Sequence, residues 1–367
     1  MWTKLVPATA LLAAVTLSGT AHASPATPVG GEQLGGRGLV HPEGVEAPPK
    51  TKATSYVIAD AGTGHVLAAK NPHGRFLPAS TLKALTALTL IPKLDRDKTV
   101  QPSRNAINQE GSAVGLAPKP IYKVHDLFRA LMLSSGNDAA MALAEANGGL
   151  AKTMRDMNAE AKRLQAGDTV AKTPSGLDAP GQSSSAYDLA LIARAGLANA
   201  DFRKYIGTKT AKFPAPKNFY EISNHNKLLW RYKGMIGVKN GWTTKAQASF
   251  VGAATRGGHT IIVTIMRHEG YFWEEVEQLL DWGFANRAEA APVGRLVDPL
   301  PEARPSTRPM AAQSQPAAAP PLLDAAAAKQ TGTSRTIGLA VVGGGLVLGL
   351  SWVGFGVVRR RSRAARD

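Results

Sequence analysis

The chain has 367 residues, of which 44% are hydrophobic and 19% are charged, so it has enough apolar material for a sizeable core. It has no cysteine, which excludes a disulfide scaffold, a thiol nucleophile and a cysteine-ligated metal, and its eight histidines form no HExxH or other close ligand pair. The net charge is +16, but the basic residues are scattered and lack aromatic interleaving. Neither a metalloenzyme nor a nucleic-acid-binding protein is therefore indicated.

The N-terminal residues 1–23 have the features of a secretory signal peptide. Lys4 precedes the apolar run Leu11–Leu17, and Ala21-His22-Ala23 supplies the small residues of a cleavage site. Residues 24–51 are rich in Pro and Gly and have no apolar periodicity, so we expect a mobile lead-in there. The mature protein is then expected outside the cell.

A single domain is predicted over residues 52–289, with apolar periods of both strand and helix type. Two hairpins are expected, Ser55–Ala59 with His65–Ala69 and Ala248–Ala254 with Thr260–Met266. Helices are expected at Ser80–Ile91, Asp126–Leu133, Asp138–Ala146, Ala186–Leu197 and Tyr271–Asn286. This order predicts an α+β fold whose N- and C-terminal strands share one antiparallel sheet.

The C-terminal part predicts a membrane anchor. Residues 290–336 contain eight prolines and favour an extended linker. Residues 337–358 are 22 consecutive uncharged residues, which as a helix would be about 33 Å long and could span a bilayer. The Arg-rich residues 359–367 form a basic tail, which the positive-inside rule places in the cytoplasm. We therefore expect a single-pass protein of the cell membrane with its folded domain outside.

Three short patterns place groups suited to acyl transfer in one order along the chain. Ser80 and Lys83 lie one helical turn apart, and a lysine can activate a serine when burial or another cation lowers its pKa. Ser135-Gly136-Asn137 lies between two predicted helices, and Lys239-Asn240-Gly241 precedes the closing hairpin. Each pattern arises on the order of once by chance in such a chain. Alone, the first pattern is also explained by a helix N-cap, the second by a helix–helix turn and the third by an exposed Asn-Gly turn.

In this order the patterns resemble the SxxK, SxN and KTG motifs of the penicillin-recognising serine peptidases and β-lactamases. The wider wording is similar to the low-molecular-weight D-alanyl-D-alanine carboxypeptidases, over nearly all of residues 52–289. Six segments carry the resemblance: Pro78–Lys83, Leu133–Ala140, Pro174–Asp178, Ser185–Ala190, Asn224–Leu229 and Gly237–Thr243. It implies a β-lactamase/DD-peptidase-like α+β fold, with an antiparallel sheet flanked by helices and a helical subdomain.

The resemblance also implies catalytic roles. Ser80 would attack the carbonyl between the two terminal D-alanines of a peptidoglycan stem peptide, with Lys83 as its base and Ser135 assisting proton transfer. The terminal D-alanine would leave, and water would hydrolyse the acyl-enzyme. β-Lactams would acylate Ser80 in the same way, and no metal or organic cofactor is implied.

Five further residues are implied to bind the substrate. Asn137 would hold the substrate amide, and Lys239 would attract the terminal carboxylate and help to keep the base neutral. Asn240 and Gly241 complete the third motif, and the backbone N–H of Trp242 would join that of the nucleophile in the oxyanion hole.

Two positions depart from the family pattern. Asn240 stands where Thr is usual, so an amide replaces the hydroxyl that contacts the substrate carboxylate, and Gln182 stands where His is expected. The third motif leaves open a non-catalytic wall- or β-lactam-binding protein of the same fold. A D,D-endopeptidase would use the same residues, whereas a serine β-lactamase would need a deacylating glutamate and no Glu-x-x-Leu-Asn pattern is present.

Overall fold

The structure is a computed structural model, and it describes residues 28–289 and 291–301. The predicted signal peptide, transmembrane helix and basic tail, and most of the predicted linker, lie outside the described residues. In the part of the chain that is described, no helix has the length and apolar character needed to cross a membrane.

The described residues form both strands and helices, with five helices in succession between the first and the last strands of the central sheet. The strands are β1 (Leu39–Val40), β2 (Ser55–Asp60), β3 (His65–Lys70), β4 (Thr99–Val100), β5 (Tyr122–Lys123), β6 (Thr210–Pro214), β7 (Phe219–Ser223), β8 (Met235–Thr243), β9 (Gln247–Arg256), β10 (His259–His268) and β11 (Gly294–Arg295). The α-helices are α1 (Lys83–Leu90), α2 (Arg104–Ile107), α3 (Val124–Met132), α4 (Asn137–Ala146), α5 (Leu150–Arg163), α6 (Ala186–Ala198), α7 (Ala200–Gly207), α8 (Leu228–Arg231) and α9 (Trp273–Asn286). Short 3-10 helices cover Glu32–Gly35 and Ala79–Leu82.

An antiparallel sheet of seven strands forms the centre of the domain. Its order is β1-β3-β2-β10-β9-β8, and β11 also pairs with β3. Both predicted hairpins are present as β2–β3 and β9–β10. β10 lies against β2, with Val263 opposite Ile58, so the N- and C-terminal strands share one sheet as predicted. Helices pack on this sheet, which confirms the predicted α+β fold.

The sheet is buried on both faces, so its central strands are almost continuously apolar. On β10, Ile262 joins the core formed with α1, α3, α4 and α6, whereas Ile261 and Val263 join the smaller core under α9. Successive side chains of a strand point to opposite faces of the sheet, so Ile262 lies in one core and its two neighbours lie in the other. The catalytic candidates lie on the side of the larger core, where α1 begins.

Residues 28–51, predicted as part of a mobile lead-in, are folded against the domain, and so are residues 291–300, which the prediction assigned to the linker. Leu34 is fully buried, and the indole Nε1 of Trp282 donates to the carbonyl oxygen of Glu46 at 2.9 Å. β1 and β11 both pair with β3, and Leu296 is fully buried. β1 and β11 are only two residues long, so their sequences show no apolar periodicity that would predict a strand. Both form because β3 provides hydrogen-bond partners for their backbone N–H and C=O groups.

Candidate active site

Ser80, Lys83 and Asn137 come together where α1 and α4 begin. Ser80 lies in the 3-10 helix Ala79–Leu82, Lys83 is the first residue of α1 and Asn137 is the first residue of α4. Lys83 Nζ is 2.9 Å from Ser80 Oγ and 2.7 Å from Asn137 Oδ1. Ser135, in the loop before α4, is buried and has a φ of +60°. The first two sequence motifs therefore form one cluster.

Lys83 has a third partner, the carbonyl oxygen of Ser175 at 2.7 Å, and its side chain is fully buried. Burial, and then the positive charge of Lys239, hold the pKa of Lys83 well below its ordinary value, although the Asp138 carboxylate acts in the opposite direction. A neutral lysine has two N–H groups and one lone pair. Asn137 and Ser175 offer only acceptor oxygens, so they take the two N–H groups and leave the lone pair for the hydroxyl of Ser80.

The loop that carries Ser175 is held against the start of the 3-10 helix. Gly176 has a φ of +81°, and a Cβ there would lie 1.9 Å from the carbonyl oxygen of Ala79. Gln182 Nε2 donates to the carbonyl oxygen of Leu177 at 2.7 Å, and its Oε1 accepts from the backbone N–H groups of residues 172 and 173. Gln182, where histidine was expected, thus fixes the loop that holds the lysine.

Asn137 and Asp138 fix a second loop, residues 110–116. Asn137 Nδ2 donates to the carbonyl oxygen of Glu110 at 2.6 Å. Its Oδ1 accepts from Lys83 and keeps a second lone pair for a further N–H. The fully buried carboxylate of Asp138 accepts from the backbone N–H groups of Val114, Gly115 and Leu116 at 2.9 to 3.2 Å. The sequence predicted Asp138 only as a helix cap, and no local pattern indicates a partner more than twenty residues away.

The third motif lies on the edge strand β8. Lys239 is buried, its Nζ donates to the carbonyl oxygen of Asn240 at 2.7 Å, and burial lowers its pKa to about 7. Gly241 lies so close to Ser80 that a Cβ there would be 2.5 Å from the backbone nitrogen of Ser80. Trp242 is 67% exposed. The structure therefore brings the third motif beside the first.

His225 also lies at this site, and the sequence analysis did not single it out. Its backbone N–H donates to the carbonyl oxygen of Leu133 at 2.9 Å, next to the second motif. Although the imidazole keeps access to solvent, the surrounding protein, and then Lys239 and Lys83, lower its pKa. The segment Asn224–Leu229 carried part of the family resemblance, but it assigned no role to the histidine, because the proximity of His225 to the two lysines arises only from the fold.

One group of side chains within the described ranges has the spacing of metal ligands, namely His73, Asp168 and Asp188. Both ring nitrogens of His73 are already bonded, Nδ1 to Asp168 at 2.8 Å and Nε2 to the carbonyl oxygen of Val29 at 3.0 Å. Asp168 also pairs with the guanidinium of Arg75. This group is a structural network that fastens the lead-in to the domain.

The antiparallel sheet, with a Ser–Lys pair at the start of a buried helix and a lysine on the adjacent edge strand, defines the DD-peptidase and β-lactamase-like class. The sequence profile of the Peptidase_S11 family, described as D-alanyl-D-alanine carboxypeptidase, matches residues 43–270. The chain belongs to this family.

Similar proteins agree with this membership. D-alanyl-D-alanine carboxypeptidase DacB2 of Mycobacterium tuberculosis is 40% identical over 264 residues, which are 70% of this chain and 90% of that protein. A solved D-alanyl-D-alanine carboxypeptidase from Mycobacterium tuberculosis superposes with a TM-score of 0.67 at 38% identity, covering 71% of this chain and 100% of that one. The Streptomyces K15 DD-transpeptidase gives a TM-score of 0.61 at 28% identity, covering 65% and 100%.

Proposed function

We propose that this chain is a serine-type D-Ala-D-Ala carboxypeptidase that removes the terminal D-alanine of peptidoglycan stem peptides through an acyl-enzyme on Ser80. The observation that carries the proposal is the 2.9 Å contact between Ser80 Oγ and Nζ of Lys83, a fully buried lysine whose pKa is lowered. A buried neutral amine in contact with a hydroxyl is the arrangement that turns serine into a nucleophile. Family membership supports the choice of substrate.

In the acylation step, Ser80 Oγ forms a bond to the carbonyl carbon between the two D-alanines while its proton passes to Lys83. The backbone N–H groups of Ser80 and Trp242 would stabilise the oxygen anion of the tetrahedral intermediate. The carbon–nitrogen bond then breaks, and the proton passes from Lys83 through the Ser135 hydroxyl to the departing amine. Water then attacks the ester with Lys83 again as base, releasing the shortened peptide and restoring the serine.

Substrate binding would use the charge and the edge of β8. The terminal carboxylate would pair with the Lys239 ammonium and accept a hydrogen bond from the side-chain amide of Asn240, which makes no hydrogen bond to any described residue. The second lone pair of Asn137 Oδ1 would accept the substrate amide N–H. Gly241 would let the peptide backbone approach the strand. β-Lactams, which present a carboxylate and a strained amide, would occupy the same groups and acylate Ser80.

We also propose that the enzyme works outside the cell, held to the membrane by one C-terminal helix. The support is the sequence alone: the signal-peptide features of residues 1–23 and the uncharged residues 337–358 followed by a basic tail. Protease treatment of intact cells tests this arrangement, since it would digest the domain and leave a tail epitope protected. Protection of the whole chain would contradict it.

The central test uses the full chain, its Ser80→Ala variant and a diacyl-Lys-D-Ala-D-Ala tripeptide, with released D-alanine counted. Release by the parent and none by the variant is expected, with equal melting temperatures for the two. If a folded parent releases nothing, the carboxypeptidase proposal is wrong for this substrate. A labelled penicillin then identifies the alternative, because labelling of Ser80 without D-alanine release is the behaviour of a binding protein of this fold.

A further inference from the structure

A cleft lined by four cationic side chains lies beside the turn that leads to Ser80. Arg37, Lys52, Lys70 and Arg75 line it together with the ring of Phe76, and its volume is about 640 Å³. No carboxylate is among the described residues that line it. Positive charges that line a concave surface produce a stronger positive potential there than on an open surface, because protein weakens their electric field less than water does.

Most of this charge is not compensated by the protein. The side chains of Arg37 and Lys52 are exposed and have no hydrogen-bond or ion-pair partner among the described residues. Lys70 Nζ donates to a neutral group, the carbonyl oxygen of Ala53, at 3.1 Å. Arg75 alone has a carboxylate partner, Asp168, and its side chain is still 60% exposed. Three of the four cationic side chains therefore have no ion-pair partner among the described residues, although the Glu275 carboxylate accepts from the backbone N–H of Lys52 at 3.0 Å.

The floor of the cleft is a rigid turn. The carbonyl oxygen of Asn71 accepts from the backbone N–H of Gly74 and from Ser55 Oγ, both at 2.9 Å. Asn71 has a φ of +46°, and a Cβ at Gly74 would lie 2.5 Å from the Asn71 amide, so the turn is closely packed. Lys70 and Arg75, at the two ends of this turn, are thus held on a preformed surface, which lowers the entropy cost of binding a ligand between them.

We propose that this cleft binds an anionic polymer with closely spaced phosphate or carboxylate groups. Four cations spread over about 640 Å³ match several anionic groups rather than one ion. The guanidinium of Arg37 can take a phosphate or carboxylate in a two-pronged contact, and that of Arg75, whose Nε and one terminal nitrogen already donate to Asp168 and Gly167, can add the contact of its remaining N–H groups. The two ammonium groups act as point charges. Ser80 lies four positions after Phe76, at most about 14 Å of chain, so the bound polymer would lie next to the active site. This site is independent of the proposed peptidase activity.

The experiment measures binding of fluorescein-labelled polyphosphate to the full chain in nonionic detergent, by fluorescence anisotropy over a series of salt concentrations. The cleft variant is Arg37→Gln with Lys52→Gln. The matched control is Arg104→Gln with Lys119→Gln, which removes the same charge from two exposed side chains that also have no partner among the described residues. Poly-L-glutamate and inorganic phosphate are run as competitors.

The parent is expected to bind, with an affinity that falls as salt rises. The cleft variant should bind at least tenfold more weakly and show a salt slope lower by about two, roughly one for each cation removed. The control should stay within about twofold of the parent, and both variants should release D-alanine at the parental rate. Competition by poly-L-glutamate would show that the site recognises the spacing of negative charges, whether carboxylate or phosphate. Failure of poly-L-glutamate to compete would show that the site requires phosphate groups.

Three results would overturn the proposal. The parent could fail to bind either polymer at low salt. The control pair could weaken binding as much as the cleft pair, which would show a response to net charge alone. Inorganic phosphate could compete as well as polyphosphate at equal phosphate concentration, which would show a site for a single ion.

Discussion

Lys83 Nζ donates to the backbone carbonyl oxygen of Ser175, which lies 92 positions further along the chain, at 2.7 Å. This contact joins the first residue of α1 to the segment Pro174–Asp178, which carried part of the family resemblance but belongs to none of the three short motifs. Because the acceptor is a backbone oxygen, the type of residue at position 175 does not predict the contact. The orientation of the proposed base therefore depends on the path of the loop from residue 173 to residue 182.

Gly176→Ala should lower the rate of D-alanine release at least a hundredfold. The new Cβ would lie 1.9 Å from the carbonyl oxygen of Ala79, so the Ser175 loop or the 3-10 helix must move. Gly181→Ala is the control, because Gly181 also has a positive φ, +74°, but its nearest atom would be a Lys172 side-chain carbon at 3.6 Å. The control should lose about 1 kcal/mol of stability from backbone strain and keep its activity. Equal losses of activity in both variants would contradict a specific role for this contact.

The Michaelis constant of the tripeptide substrate should rise as pH increases above about 7. Burial lowers the pKa of Lys239 to about 7, so its positive charge, which is proposed to attract the substrate carboxylate, is present below that pH and is lost above it. Lys239→Gln should give a higher Michaelis constant that no longer changes with pH. Steady-state kinetics between about pH 6 and about pH 9 measures this. A variant that keeps the parental pH dependence would assign the titration to another group.

Lys239→Gln should also move the acidic limb of the kcat profile to higher pH. The positive charge of Lys239 disfavours the protonated form of Lys83, so its removal raises the pKa of Lys83 and the base becomes available only at higher pH. Lys245→Gln, which removes an exposed charge from the turn after β8, should leave the limb unchanged. A limb that shifts equally in both variants would indicate a general charge effect.

Asn240→Ala should lower kcat/KM about tenfold or more, chiefly through KM. The side-chain amide is proposed to donate to the substrate carboxylate, and a hydrogen bond to a charged group contributes about 1.5–3 kcal/mol. Asn240→Thr should keep most of the activity, because the hydroxyl can donate in its place. Parental kinetics in Asn240→Ala would show that the amide does not contact the substrate.

Asp138→Ala should destabilise the domain by about 3–5 kcal/mol, since it removes a buried charged acceptor from several backbone N–H groups. Asp298→Ala provides the comparison, because Asp298 pairs with Arg194 but its side chain is 69% exposed, and exposed pairs contribute about 0–1 kcal/mol. Urea unfolding of the full chain gives both values. Similar losses for the two variants would show that the 110–116 loop is not held by Asp138.

The sequence was sufficient to predict the features that depend on local pattern. The apolar, β-branched runs of β9 and β10 and the apolar spacing of α1 predicted the sheet and its helix, and the order of three short motifs predicted the Ser80, Lys83 and Lys239 positions. α5 was not predicted, and neither was the β6–β7 hairpin, whose strands are mostly exposed. Exposed strands lack the alternation of buried and polar positions on which a prediction depends.

The contacts that complete the site could not be predicted, because tertiary structure decides between uses of one residue type. Asp126 lies at the third position of α3 and accepts from the Lys123 N–H, close to the capping role predicted for it. Asp138 has the same local setting at the start of α4, yet its carboxylate turns to the loop at residues 114–116. Local sequence does not distinguish these two aspartates.

The pairing of β1 and β11 with the same strand has a mechanical consequence. β1 pairs with β3 at Lys70 and Ala69, and β11 pairs with it at Val66 and His65, so the chain enters and leaves the domain along one strand. Tension applied at residue 301 would first load the contacts of Leu300 with Arg163 and of Asp298 with Arg194, then the two-residue β11 pairing, before it reached the long strands β8, β9 and β10. The sheet edge that carries Lys239 lies at the opposite side of the strand order, so a pull through the C-terminal end would be absorbed far from the nucleophile.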